Sequence, residues 1–342
     1  MNSFGRIFRV NILGESHGDC VGVLIDGCPA GVNLNNDDFT IDIERRKRGA
    51  KGTTPRKEDD IPQIISGVFN GKTTGTPITI LFKNSNTRSS DYEKQRAVPR
   101  PGHADFVATK KFGGFEDYRG GGHFSGRLTV ALVAAGVVAK KILTHEEKDE
   151  QPGKINISVN ASILEIGGET DIEKGLQKAI DAKDTIGGIV ECHVIGLPVG
   201  LGEPFFDSAE SLLSHAVFAI PAVRGIEFGT GFAAARMFGS EHNDALKSMD
   251  GTTTTNHAGG IVGGLTNGNE LIFRIAIKPT SSTPKEQQTL NVETGNIEPF
   301  SVKGRHDLCI ALRVPVVLEA VTAIVLVDLL MMDHKINRVI TK

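Results

Sequence analysis

Tryptophan is absent from this 342-residue chain and tyrosine occurs only twice, so its interior must be built from aliphatic side chains and 17 phenylalanines. Cysteine is nearly as scarce. The four thiols, at positions 20, 28, 192 and 309, show no CxxC spacing, which excludes a disulfide framework and a thiolate metal site and points to reduced cysteines in the cytoplasm. Nothing at the N-terminus resembles a signal peptide. Charge of either sign is not in excess: the formal net charge is -3, so a nucleic-acid partner would need a local basic patch. The run "ERRKRGAKGTTPRK" is such a patch, but Glu58, Asp59 and Asp60 follow it at once, and no nucleic-acid role is expected. Long hydrophobic runs are lacking except for Val314 to Met332, which contains Glu319 and Asp328. Those two charges favour a buried helix over a membrane span, with Pro315 suited to the first helical position. The run is apolar on nearly every side, which implies cover from the core and from a second copy of the chain. No proline- or serine-rich linker divides the sequence, and one domain over residues 1–342 is expected.

What the chain has in abundance is glycine, 40 residues that punctuate segments of alternating period. Strands are predicted in "RIFRVNILG", "VGVLIDG", "PITILFK", "KINISVNASILEIG", "GGIVECHVIG" and "LIFRIAIKP", all rich in β-branched residues and ended by turn formers. Helices are predicted at Asn36–Arg46, Ser125–Leu143, Ile172–Ala182, Ala209–Ala219 and Pro315–Asn337. A 39% hydrophobic content is enough for a sizeable core, and the mixture of elements defines an α+β protein.

Chemistry-bearing residues gather in the glycine-rich loops. "GESHG" sets Glu15, Ser16 and His17 on one sharply bending piece of backbone. A serine beside a histidine in sequence rarely forms a nucleophile and base pair, since that relationship is spatial, so His17 is the group of interest. "RPGHAD" places His103 in a proline-glycine turn between Arg100 and Asp105, where an imidazole can exchange protons near neutral pH. "DYRGGGHFSGRLT" puts three glycines before a helix, with Arg119 and Arg127 on either side. This reads equally as an anion cradle or as a tight turn with two solvated arginines. "IERRKRG" ends a helix with Arg45, Arg46, Lys47 and Arg48, which either complement the helix terminus or turn inward onto a phosphate or carboxylate. "NHAGGIVGG", "KPTSS" and "GRHDLC" add a glycine loop, a cation with three hydroxyls, and the triplet Arg305, His306, Asp307 ahead of the last helix. Each is ordinary loop composition when taken alone.

Taken in order, "GESHG", "RPGHAD", "DYRGGG", "SGR", "NHAGGI", "KPTSS" and "GRHD" resemble the chorismate synthase family over nearly the whole chain. The resemblance implies a tetramer of β-α-β sandwich subunits. It also implies conversion of 5-enolpyruvylshikimate 3-phosphate to chorismate by 1,4-anti elimination of phosphate, with reduced FMN required although the reaction is redox-neutral. His17 would then assist the leaving phosphate, His103 would adjust the flavin's protonation beside its pyrimidine ring, and Asp307 would relay a proton at flavin N5. Ser16, Arg46 and Arg127 match positions that hold substrate or NADP. His123, Phe124, Ser125 and Arg305 match flavin-lining positions, completed by Gly263 and by Lys278, Pro279, Thr280, Ser281 and Ser282. Two departures stand out. The family's Arg-Ser-Ser-Ala-Arg-Glu-Thr run is replaced here by His123 to Thr129, with Leu128 in place of the carboxylate. Near Gly52 the chain is shorter by about one residue and lacks a second arginine, which bears on NADPH. The compact chain has no inserted domain for reducing its own flavin, so a separate reductase or free reductant is expected to supply electrons.

Overall fold

Burial alternates along Ile78–Lys83 and Leu271–Ile277, turning one face of each inward as a half-buried sheet requires. The computed structural model describes residues 2–47, 52, 59–85, 96–144, 156–302 and 306–340. Its first sheet contains β1 (Ser3–Phe4), β2 (Arg9–Gly14), β3 (Cys20–Asp26), β4 (Gln63–Ser66) and β5 (Ile78–Lys83), in the spatial order β1-β2-β3-β5-β4. Every neighbouring pair is antiparallel, and Val23 stands opposite Ile12 on one side and Ile80 on the other. The second sheet contains β6 (Ser158–Ile166), β7 (Gly188–Ile195), β8 (Val223–Phe228) and β9 (Leu271–Ile277), in the order β8-β9-β7-β6 and again antiparallel.

Helices fill the space between the sheets. α1 (Thr40–Lys47) and α2 (Asp105–Phe112) are short; α3 (Thr129–Leu143), α4 (Ile172–Ala182), α5 (Ala209–Val217) and α6 (Val314–Met332) follow. α3 packs on the first sheet and on α6, and α6 packs on β6 and β7, giving a sandwich with helices as its filling. One continuous apolar cluster joins the two sheets through these helices. The position explains the sequence: α3 and α6 are apolar all round because both are enclosed on all sides. Leu318, Leu326 and Leu330 are fully buried, each contributing roughly 1.5–3 kcal/mol. The two helices cross at Gly136, where a Cβ atom would lie 2.2 Å from that of Ala320.

The two charges in α6 have structural partners. Glu319 accepts both ends of the Arg45 guanidinium (2.7 and 2.6 Å), the Lys140 ammonium (2.7 Å) and the Ala161 N–H (3.0 Å). Asp328 accepts the backbone N–H groups of Arg6, Ile7 and Phe8 and pins the N-terminal segment to the core. α6 is long and apolar enough to cross a membrane, yet it is buried as a core helix.

The predicted strands and helices are all present, with shifts at their ends. α6 stops at Met332 instead of Asn337, because Asp333 caps it and His334 turns into left-handed backbone. It starts one residue early, so Pro315 is its second residue. α5 ends at Val217, two residues short. Ser125 lies outside α3, accepting the Arg127 N–H as the cap of a 3₁₀ turn. The strand expected from Lys154 begins at Ser158.

Candidate active site

The three consecutive glycines Gly120, Gly121 and Gly122 all adopt left-handed backbone, with φ of 61°, 82° and 53°. This conformation lets the chain pass against two imidazoles. A Cβ on Gly120 would lie 2.4 Å from His17 Cδ2, and one on Gly121 would lie 3.3 Å from His103 Cε1. The histidines of two motifs far apart in sequence are therefore packed on neighbouring residues of a third. Two bonds staple the loops together: the Ser16 N–H donates to the Gly122 carbonyl (3.1 Å), and His123 Nδ1 donates to the Gly14 carbonyl (2.8 Å). The Asn84 amide donates to the Glu15 and Gly18 carbonyls at 2.9 and 2.8 Å, while its oxygen accepts from Arg127 Nε at 3.0 Å. One side chain thus ties the "GESHG" loop to an arginine.

Arg127 and Arg46 share a carboxylate. Asp60, buried and in left-handed backbone (φ 49°), accepts Arg46 Nη1 at 3.1 Å through one oxygen and Arg127 Nη1 through the other. A non-glycine residue in this conformation costs roughly 1–3 kcal/mol, and such positions cluster at functional sites. Burial, foremost, lowers the Arg46 pKa to about 10, and the neighbouring Arg127 and Arg313 act in the same direction against Asp60 and Asp307. Arg313 donates to Asp307 (3.0 Å) and to the Arg46 carbonyl (3.2 Å), but its buried Nη2 has no partner among the described residues. The Ser16 and Thr280 hydroxyls are likewise buried without a hydrogen-bond partner among the described residues. Buried polar groups are seldom left unsatisfied, so these atoms mark places for a ligand.

These groups line or adjoin a cleft of about 800 Å³, within the range of small-molecule sites. Among its described residues, six cations (Arg46, Lys47, Arg100, Arg127, Lys278, Arg313) face four carboxylates (Glu44, Asp59, Asp60, Asp307), which leaves the cleft attractive to anions. Lys278 reaches Ser281 Oγ at 2.6 Å and the Gly102 carbonyl at 3.2 Å, closing the "KPTSS" strand end onto the His103 turn. Burial, with Arg224 adding to it, lowers the Lys278 pKa. Burial and then Arg100 lower that of His306, against Asp307.

The structure brings His103, Phe124, Ser125, Arg46, Arg127, Lys278, Thr280, Ser281, Ser282 and Asp307 to the walls of this cleft. His17, buried, and Ser16 stand behind Gly120, which also lines it. His123 is turned away toward Gly14. Neither Pro279 nor Gly263 is among the residues that line this cleft. Gly263 and Gly264 form the two-residue turn of a hairpin between Ile261–Val262 and Leu265–Thr266, where φ of 64° and 90° requires glycine. Arg305 and Arg48 lie outside the described residues. Arg119 pairs with Asp117, and Arg45 is absorbed by Glu319, so among the described residues of the basic run Arg46 is the one that turns fully inward. Sequence reasoning missed Asp60 and Arg313. Asp60 reads only as the end of an acidic stretch, and Arg313 is not singled out; neither has a motif around it. A second cavity, about 160 Å³, shares His103, Ala104 and Phe124 with the cleft and is walled also by Phe106 and Tyr118.

A cation-rich cleft with two imidazoles held on bare backbone defines an enzyme acting on an anionic small molecule. Residues 8–331 match the family model for chorismate synthase. The chain is 69% identical over 339 residues to a chorismate synthase of Chitinophaga pinensis, and 46% identical over 369 aligned positions to one of Dehalococcoides mccartyi, with 99% of each chain covered in both cases. A crystal structure of chorismate synthase superimposes with a TM-score of 0.71 at 26% identity, covering 96% of this chain and 93% of the other. The chain belongs to the chorismate synthase family. It is accordingly an enzyme of the shikimate pathway.

Proposed function

We propose that this enzyme converts 5-enolpyruvylshikimate 3-phosphate to chorismate and phosphate by 1,4-anti elimination, with reduced FMN as cofactor. The observation that carries the reading is the packing of His17 and His103 on the adjacent glycines 120 and 121, beside a cleft rich in arginine. The residues present fit a flavin phosphate and ring: three hydroxyls at Thr280, Ser281 and Ser282, the Lys278 cation, and the unpartnered Thr280 Oγ1 and Arg313 Nη2. When bound, the reduced flavin would supply reversible one-electron chemistry, lending an electron and recovering it within the redox-neutral reaction, which no amino-acid side chain provides. The chain's own residues do the rest. Arg46 and Arg127 hold anionic oxygens of the substrate, with Asp60 fixing both guanidinium planes. His17 donates a proton to the departing phosphate, a role worth ~100- to 10,000-fold in rate. His103 and Asp307 hold and pass protons at the cleft wall, and Ser16 contacts substrate.

The protein works as one catalytic domain, in a cytoplasmic homotetramer, and receives reduced flavin from a separate reductase or free reductant instead of from its own NADPH site. Anaerobic incubation with 5-enolpyruvylshikimate 3-phosphate and reduced FMN tests the reading. Chorismate formed without stoichiometric flavin oxidation supports it. Stoichiometric oxidation would instead make the protein an oxidoreductase.

A further inference from the structure

The turn that carries His103 leads directly into α2, and the first residue of that helix, Asp105, reaches back over it. Its carboxylate is saturated: Oδ2 accepts the Arg100 N–H (3.1 Å) and Nε (2.7 Å), and Oδ1 accepts Arg100 Nη2 (2.8 Å) and faces His103 Nδ1 at 2.6 Å. Burial works to raise the Asp105 pKa, yet the hydrogen bonds from Arg100 and His103 together hold it well below the usual carboxylate range. An ionised carboxylate can only accept, so the hydrogen in the 2.6 Å contact belongs to Nδ1. A neutral imidazole has one hydrogen, and Nε2 must then carry a lone pair. Nε2 lies on the ring edge that faces Gly121, where a Cβ would stand 3.5 Å away, and it bonds no described residue. A rival donor stands close by, for Arg100 Nη2 is 3.0 Å from the same Nδ1.

We propose that Asp105 is a positioning residue that selects the Nδ1–H tautomer of His103, so that Nε2 presents a lone pair toward the glycine run and the cleft, and that Arg100 imposes the opposite tautomer once the carboxylate is lost. The role in turnover rests on the elimination reaction described above; the tautomer itself does not. Nothing in the motif reading distinguishes Asp105 from a helix-start aspartate. The distinction comes from a carboxylate and a guanidinium competing for one ring nitrogen.

The test is nitrogen-15 NMR of the full-length protein labelled on the histidine rings, with the His103 signals assigned by their loss in His103→Gln. In the unsubstituted protein, at a pH where the ring is neutral, Nδ1 should show the protonated shift and Nε2 the lone-pair shift. The reverse pattern overturns the proposal before Asp105 is altered. In Asp105→Asn the pattern should invert, and kcat should fall about 100- to 10,000-fold while KM for the phosphorylated substrate changes less than about 3-fold. An unchanged tautomer or an unchanged kcat in that variant also overturns it. Absence of turnover in the unsubstituted protein would defeat the assigned reaction and leave the NMR result to decide the tautomer.

Discussion

Gly120 and His17 touch so closely that a Cβ on the glycine would lie 2.4 Å from the ring's Cδ2 and 2.5 Å from Nε2. Gly120→Ala therefore has two costs. Its φ of 61° disfavours any L side chain by roughly 1–2 kcal/mol, and the added methyl displaces the imidazole. The expected outcome is a modest loss of stability in denaturant titration with a loss of kcat of at least about 100-fold. Full activity would show that the position of His17 does not matter.

His17→Ala and His103→Ala test the imidazoles directly. Each should lower kcat by ~100- to 10,000-fold with unaltered circular dichroism. Near-normal turnover in both variants would remove them from the mechanism.

Asp60→Asn separates charge from shape at the arginine pair. Without the carboxylate, Arg46 and Arg127 confront each other in a buried setting, and losing one partner of a buried ion pair typically costs about 3–5 kcal/mol. Inorganic phosphate should occupy the same guanidinium groups and raise the melting temperature more in Asp60→Asn than in the parent. Equal shifts in the two proteins would mean that this pair is not an anion site.

Glu319 links stability to acid. Burial tends to raise its pKa, but hydrogen bonding from Arg45 and the charge of Lys140 bring it below the ordinary 4.5. A carboxyl whose pKa is depressed by folding contributes stability above its unfolded pKa and loses that contribution as pH falls through its folded one. Glu319→Gln should therefore be less stable than the parent at neutral pH, with the gap narrowing below about pH 4. Urea unfolding at pH 7 and pH 3.5 measures both. A gap independent of pH would show that the ion pairing is not its source.

The sequence was most legible where periodicity is regular and ends are marked. Val21 to Gly27 and Leu271 to Pro279 combine β-branched residues with a turn former, and both are strands. It was least legible where tertiary contact defines the element. β4 is a four-residue edge strand of mixed polarity, β8 is interrupted by Gly225, and α2 follows Ala104, which offers no side-chain cap. The site divides in the same way. His17, His103 and Arg127 stand in distinctive glycine motifs. Asp60, Asp105 and Arg313 matter only through what they face, and a one-dimensional pattern does not encode that.

The glycine run has a consequence for variation. At Gly122 a Cβ would fall 1.9 Å from the Asp117 carbonyl, and Gly120 and Gly121 abut the two histidine rings. An added side chain collides with an imidazole at Gly120 and with backbone at Gly122, and at Gly121 it strains a φ of 82° and presses on His103, whatever its polarity. Phe124, two residues on, is 42% exposed and meets no such wall. Substitution therefore has more room at the rim of the site than at its hinge of bare backbone.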